Sequence, residues 1–191
     1  MKSKKFAGID EVGRGSLFGP VFAGAVILNK SAEIFLQMHG LKDSKKLSVK
    51  KRNFLSPLIK ENAISWSIGE SSSSEIDSFG IRQATEKAMV RAIDQLIFKP
   101  DILLIDGNLP LRLWSGEQKL FIKGEDIFPS IAAASVLAKV ARDELIIQLA
   151  KTYPSYGLEK NKGYGTELHR KKLKELGPTK LHRKTFKTKI T

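Results

Sequence analysis

The chain is expected to fold as an α/β domain, and three features of its sequence lead there. Apolar runs of strand type occupy 6–9, 21–28 and 64–68, and two more follow at 101–106 and 120–122. Helix-type periodicity fills 81–98 and 131–151, between and after those runs. Three strands come first and two more after helices, so strands and helices mix in one α/β domain.

The first strand runs directly into two adjacent acids, Asp10 and Glu11. Neighbouring residues on a strand point to opposite faces, so both acids cannot be routine solvent-facing side chains. Gly13, Arg14 and Gly15 follow, and Gly19-Pro20 closes the loop. Glycines there let backbone N–H groups approach a bound anion closely. A plain polar turn would use the same residues, and a Gly-x-Gly alone does not decide between the two. No Gly-x-x-x-x-Gly-Lys-Ser/Thr phosphate loop occurs in the chain.

Continuous apolarity over 21–28 predicts a second strand buried on both faces, and its short link to the first implies antiparallel pairing. Ser48 is placed to cap a helix running to about Glu61. Residues 64–68 alternate with period two, predicting a third strand with one wet face, and 71–74 form a serine-rich turn. Ala84, Ala88, Ile93, Leu96 and Ile97 lie at helical spacing within 81–98, and Pro100 ends that helix. A central strand over 101–106 then delivers Asp106 just before Gly107, the same arrangement as at Asp10. The fifth strand stops at Lys123-Gly124-Glu125-Asp126. In the long helix that follows, the small residues 132–135 suit close packing on a sheet. Beyond Tyr153 the chain turns basic, with a helix over 166–176 and a basic tail at 180–189. The chain therefore reads as one domain, with a core over 1–152 and a basic C-terminal helical part over 153–191 that contributes to substrate binding.

Lysines and arginines number 33 against 20 acids, giving a net charge of +13. Such an excess points to a polyanionic partner, nucleic acid before an anionic membrane surface. With no cysteine the chain has neither disulfides nor thiolate metal ligands, which suits the cytoplasm. Its N-terminus lacks a signal-peptide pattern, and the longest apolar run is far too short to span a bilayer. A soluble, cytoplasmic monomer is expected.

Three strand ends thus supply acids: Asp10 with Glu11, Asp106, and Glu125 with Asp126. Two carboxylates about 4 Å apart repel by about 4 kcal/mol at an effective dielectric near 20. Such a cluster calls for cations, and hard oxygen ligands favour Mg²⁺ or Mn²⁺ over zinc. Two ions about 3.5–4 Å apart suit phosphodiester hydrolysis, and a basic chain with an acidic pocket is what a two-metal nuclease requires.

The stretches GIDEVGRGSLFGPV, LKDSKKLS, DILLIDGN, SIAAASVLAKVARD and NKGYGTELH…LGPTKLHRKTF resemble, in order, the motifs of the ribonuclease HII (type 2 ribonuclease H) family. The resemblance covers nearly the whole chain. It implies an RNase H-like fold, with a mixed five-stranded sheet flanked by helices and a C-terminal helical region. It also implies endonucleolytic hydrolysis of the RNA strand of RNA–DNA hybrids. Cutting 5′ to a single ribonucleotide embedded in duplex DNA is implied as well, with 5′-phosphate and 3′-hydroxyl ends. Asp10, Glu11 and Asp106 match the family's metal-binding acids. The fourth acid usually sits in a Lys-Gly-Asp triplet. Here that triplet reads Lys123-Gly124-Glu125, so Glu125 takes the role by position, with Asp126 next to it as the alternative. Gly13-Arg14-Gly15 matches the loop that senses the ribose 2′-OH, and Tyr164 the tyrosine that packs on the deoxyribose past the cut. Ser44, Lys45 and Lys46 match a phosphate-holding motif. Asp143 falls at a family position near the site. His169 and His182 fall in matching motifs but outside the catalytic set. The other readings are a nucleic-acid-binding module without turnover and a hybrid-only, type 3-like ribonuclease H; the intact Gly13-Arg14-Gly15 argues against the latter.

Overall fold

The computed structural model describes residues 4–189. Five strands form one mixed sheet in the order β3-β2-β1-β4-β5. β1 (Phe6–Val12) pairs antiparallel with β2 (Val21–Ile27), which pairs antiparallel with β3 (Ser65–Ser71). On its other side β1 pairs parallel with β4 (Ile102–Asp106), and β4 with β5 (Glu117–Phe121). The middle strand is therefore β1, with β4 beside it.

β2 is buried along its whole length, as its unbroken apolar run predicts, because helices cover both faces. On one face α3 (Ser73–Asp94) packs Ala84, Ala88 and Ile93 against Ile9, Ala25 and Ile105. On the other lie α4 (Pro129–Thr152), α2 (Val49–Asn62) and α1 (Lys30–Met38), closing over Val26. A Cβ on Gly8 would fall 2.2 Å from the carbonyl carbon of Ser130, and one on Gly24 would fall 2.3 Å from the Ala134 oxygen. Only glycine lets α4 lie this close, and the closeness lowers its small-residue run onto the strand that carries Asp10.

Ser48 caps α2 and Thr166 caps α6 (Glu167–Leu176), each hydroxyl accepting a backbone N–H of the first turn. Three expectations need correction. α1, capped by Asn29, was not anticipated. α3 begins at Ser73 rather than 81 and ends at Asp94; the serines form its cap and first turn, with Ser72 and Glu75 bonding reciprocally. Gly80, at φ 78°, breaks the helix and hid the continuity. Finally, β3 has no wet serine face: Ser65, Ser67 and Ser71 are the buried set, while Trp66 and Ile68 are half-buried. Small residues on that face admit α3, since a Cβ on Gly69 would meet the Ala88 oxygen at 2.2 Å and Ser67 donates to the Ala92 carbonyl.

The C-terminal elements pack on the glycine-rich loop. Tyr156, Leu158 and Leu173 join Leu17, Phe18 and Ile146 in one apolar cluster. α5 (Leu158–Asn161) and α6 precede a segment in which His182 bridges to Phe18. Asp77 on α3 accepts the amides of Lys184 and Thr185, tethering the end of the chain. The part of the expected basic tail formed by the side chains of 187–189 lies outside the described residues. Among the described residues no helix is long and apolar enough to cross a membrane.

His169 and His182 are fully buried here, with their Nε2 atoms 3.0 Å apart. Burial, with His169 adding to it, pushes the His182 pKa down to about 4 from an ordinary 6.5. Both states are neutral above pH 6.5, so the fold keeps its full stability there. Between 6.5 and about 4 the unfolded chain takes up a proton that the folded chain refuses, and stability falls by about 3 kcal/mol. Urea unfolding of the wild type and His182→Gln at pH 7.5 and 4.5 isolates this contribution from that of the carboxylates. The wild type should lose more stability over the interval than the variant.

Candidate active site

The parallel register of β1 and β4, with Gly8 opposite Leu104, carries Asp10 and Asp106 to adjacent strand ends on the α4 face. Glu125 arrives from a short 3-10 turn, Gly124–Asp126, set up by Lys123 in a left-handed conformation (φ 58°). Carboxylate oxygens of Asp10, Asp106 and Glu125 lie within 4.8 Å of one another. The amide of Gly124 donates to Asp106 Oδ1 at 2.7 Å, so the turn that carries Glu125 is pinned to the strand that carries Asp106.

The structure thus brings Glu125, not Asp126, to the other two acids. Asp126 is exposed and pairs with Lys46 at 2.5 Å, while Lys45 pairs with Glu125 at 3.1 Å. Glu11 lies outside the set within 4.8 Å: its side chain meets Arg14 at 3.2 Å, yet it lines a pocket with Asp106 and its charge acts on Asp10. Ser44 is buried, with its hydroxyl 2.8 Å from that of Ser135 on α4. The Ser135 hydroxyl also acts on Asp10, favouring its charged form.

Burial, then repulsion by Glu11, Asp106 and Glu125, holds the Asp10 carboxyl well above its usual range, with the Ser135 hydrogen bond opposing. Burial raises Glu11 too, against the pull of Arg14. Glu125 is pushed up to about 7 by burial and by its hydrogen bond with Asp106, with Lys45 acting the other way. Its Oε2 is buried and has no hydrogen-bond partner among the described residues. An all-carboxylate donor set with crowded charge and an unpartnered oxygen fits a hard divalent cation.

Next to this trio lies the loop of Gly13, Arg14 and Gly15. Gly13 sits at φ 92°, and a Cβ there would lie 2.2 Å from Arg142 Nε, so both conformation and space demand glycine. The amides of Arg14 and Gly15 donate to no acceptor among the described residues. Gly15 lies in open space and lines a groove of about 470 Å³ with Leu17, Tyr164, Gly165, Thr166 and Arg170. Tyr164 is half-buried on that groove, with Lys139 Nζ at 5.7 Å and the Arg142 guanidinium at 5.5 Å from its ring centre. Lys139 also pairs with Asp143 at 2.7 Å, which places Asp143 behind the tyrosine rather than among the acids.

Two fully buried arginines hold the loops that carry these groups. Arg142 donates to the carbonyls of Phe18, Pro20 and Lys162 and to Ser16 Oγ. Arg183 donates to the carbonyls of Gly19 and Arg14, with its guanidinium 5.3 Å from the Phe186 ring centre. Sequence reasoning missed these roles, along with those of Ser135 and the histidine pair. The one available signal was Ser135, a polar residue closing a run of alanines that packs on the sheet.

Residues 7–189 match the family model described as Ribonuclease HII. A ribonuclease HII of Prochlorococcus marinus is 66% identical over 190 residues, covering 100% of both chains. Among solved structures, ribonuclease H2 from Pyrococcus horikoshii superposes with a TM-score of 0.82 at 24% identity, over 97% of this chain and 95% of its own. The RNase HII in a PCNA complex from Archaeoglobus fulgidus gives 0.80 at 28% identity, over 96% and 94%. A mixed sheet that gathers carboxylates at its strand ends, and full-length similarity of this degree, lead to one conclusion: the chain belongs to the ribonuclease HII family and is a ribonuclease H.

Proposed function

We propose that this ribonuclease H hydrolyses the RNA strand of RNA–DNA hybrids and cuts 5′ to single ribonucleotides embedded in duplex DNA. The observation that carries the reading is the convergence of Asp10, Asp106 and Glu125 within 4.8 Å, beside a groove lined by Gly15 and Tyr164. Asp10, Asp106 and Glu125, flanked by Glu11, would hold divalent cations, Mg²⁺ or Mn²⁺, at a two-metal site. When bound, these ions supply an activated water and counter-charge for the leaving 3′-oxygen. Products are then a 5′-phosphate and a 3′-hydroxyl.

Other residues divide the remaining tasks. Ser135 orients the Asp10 carboxylate, and Lys45 and Lys46 offset the acidic charge until a phosphodiester enters, when they are placed to meet phosphate. Ser44 supports this arrangement from behind. The free amides of Arg14 and Gly15 are available to a ribose 2′-OH, the group that marks a lone ribonucleotide among deoxynucleotides. Gly15, with no neighbour where a Cβ would stand, lets a sugar come close. Across the groove the Tyr164 ring offers a flat apolar face to the sugar past the cut, where a missing hydroxyl is tolerated. Together they read an RNA-to-DNA junction without reading bases.

The test is a nick assay on a DNA duplex with one ribonucleotide, in Mg²⁺ and in Mn²⁺, beside a continuous hybrid. Metal-dependent cutting of both substrates, 5′ to the lone ribonucleotide, is the expected result. Cutting of the continuous hybrid alone would remove the junction reading.

A further inference from the structure

The sequence motifs around His169 and His182 contribute nothing to the acid cluster, yet the structure joins them into a directed chain of hydrogen bonds. It starts at the backbone N–H of Thr179, which donates to His182 Nδ1 at 2.9 Å. A backbone amide can only donate, so His182 Nδ1 is an acceptor and the ring carries its proton on Nε2. That Nε2 lies 3.0 Å from His169 Nε2. At the far end, His169 Nδ1 lies 2.9 Å from the carbonyl oxygen of Tyr164, which can only accept. His169 therefore holds its proton on Nδ1 and receives the His182 proton at Nε2. The two ends dictate opposite tautomers for two neutral rings, and no other assignment satisfies every contact.

The surroundings favour that neutral state. Phe18 and Tyr156 lie against His182, each with ring centres 4.9 Å away, and Tyr156 also faces His169 at 6.1 Å. The Tyr156 hydroxyl is committed to the Gly177 carbonyl. Arg183, the neighbouring cation, turns its guanidinium to the carbonyls of Gly19 and Arg14. Among the described residues no acid side chain bonds to either imidazole. Burial lowers the pKa of both rings.

We propose that His169 and His182 are positioning residues for Tyr164: the chain from Thr179 fixes the tyrosine's carbonyl, and through it the ring that faces the sugar past the cut. This rests on the reading of Tyr164 given above. The carbonyl also accepts from the Thr166 amide at 2.8 Å and follows Lys162 (φ 51°), a non-glycine residue in the left-handed region, so His169 supplies the second bond that keeps this turn in one orientation. Lys139 and Arg142 approach the ring itself, and Arg142 also holds the Lys162 carbonyl, while the histidines fix the backbone at Tyr164.

The test compares kcat/KM for a single-ribonucleotide duplex with that for a continuous hybrid, since the ratio cancels anything common to the metal site. His169→Phe removes the donor at similar bulk and should lower the ratio about 5- to 10-fold, the loss of one buried hydrogen bond. His169→Asn keeps a donor near the place of Nδ1 and should restore most of it. His182→Gln, which keeps a donor near the place of Nε2, should behave like His169→Asn. In the wild-type enzyme, ¹⁵N NMR of the imidazoles should show protonated Nδ1 on His169 and protonated Nε2 on His182, a readout independent of any variant's folding. The reverse tautomers overturn the inference, as does a wild-type ratio in His169→Phe while Tyr164→Ala lowers it. A wild-type ratio in Tyr164→Ala overturns the reading of Tyr164, and the inference with it.

Discussion

Asp10→Asn is expected to lower nicking by about a thousandfold, and at the same time to raise the melting temperature of the metal-free protein. The rate effect follows from charge. A carboxylate at the centre of a divalent site supplies several kcal/mol of stabilisation to the reaction, and about 4 kcal/mol is three decades in rate. The stability effect has the opposite sign because Asp10 is buried and repelled by Glu11, Asp106 and Glu125. A neutral amide keeps the shape, can still accept from Ser135, and removes that repulsion. A rise of a few degrees is the scale that about 1 kcal/mol gives in a domain of this size. Calorimetry in EDTA should show the rise, and added Mn²⁺ should stabilise the wild type more than the variant. A variant that melts below the wild type in EDTA would mean the acids are not under mutual strain.

Arg142→Met is expected to act the other way, lowering stability and activity together. The guanidinium is fully buried and is the shared partner of the Phe18, Pro20 and Lys162 carbonyls and of Ser16 Oγ. Methionine fills most of the volume but donates to none of them. Buried acceptors left unpaired cost about 1–3 kcal/mol each, so a total of about 3 kcal/mol or more is expected, a fall in Tm of roughly 6–12 °C. Lysine should not rescue, because one ammonium cannot reproduce a planar fork reaching several separate oxygens. Thermal melts and the nick assay on Arg142→Met and Arg142→Lys check both statements. The loops of 13–20 and 161–166 carry the glycine amides and Tyr164, so junction cutting should fall further than cutting of a continuous hybrid.

Much of this was legible from the chain alone. Strand character ending in acid at Asp10 and Asp106, the cap at Ser48, the helix beginning near 166, the long α4 with its small residues, and the family itself all rest on patterns among near neighbours. Alternation and helical period are properties of local backbone geometry, so they survive whatever the rest of the chain does. The same alternation separates Asp10 from Glu11, which lines a pocket with Arg82, Glu86 and Met89 of α3 while Asp10 joins Asp106 and Glu125. Where local and tertiary preferences compete, the local signal misled. Serines on β3 look solvent-facing until α3 closes on them, and Gly80 looks like a boundary although helix continues on both sides.

Position in the Lys-Gly-acid triplet favoured Glu125 with Asp126 as the alternative, but what sets Glu125 beside Asp106 is the turn at Lys123 and the bond from Gly124 to Asp106. The burial of Arg142 and Arg183, and the union of His169 with His182, could not be read from the sequence, since polar residues on a helix or in a tail carry no mark of what will cover them. Their partners are carbonyls and rings brought alongside by folding, in the case of Arg142 from more than a hundred residues away. The sequence by itself determined the kinds of element and the chemistry they carry. The tertiary structure decided which carboxylates share one space and which loops hold the groove, because those depend on long-range packing that no short stretch encodes.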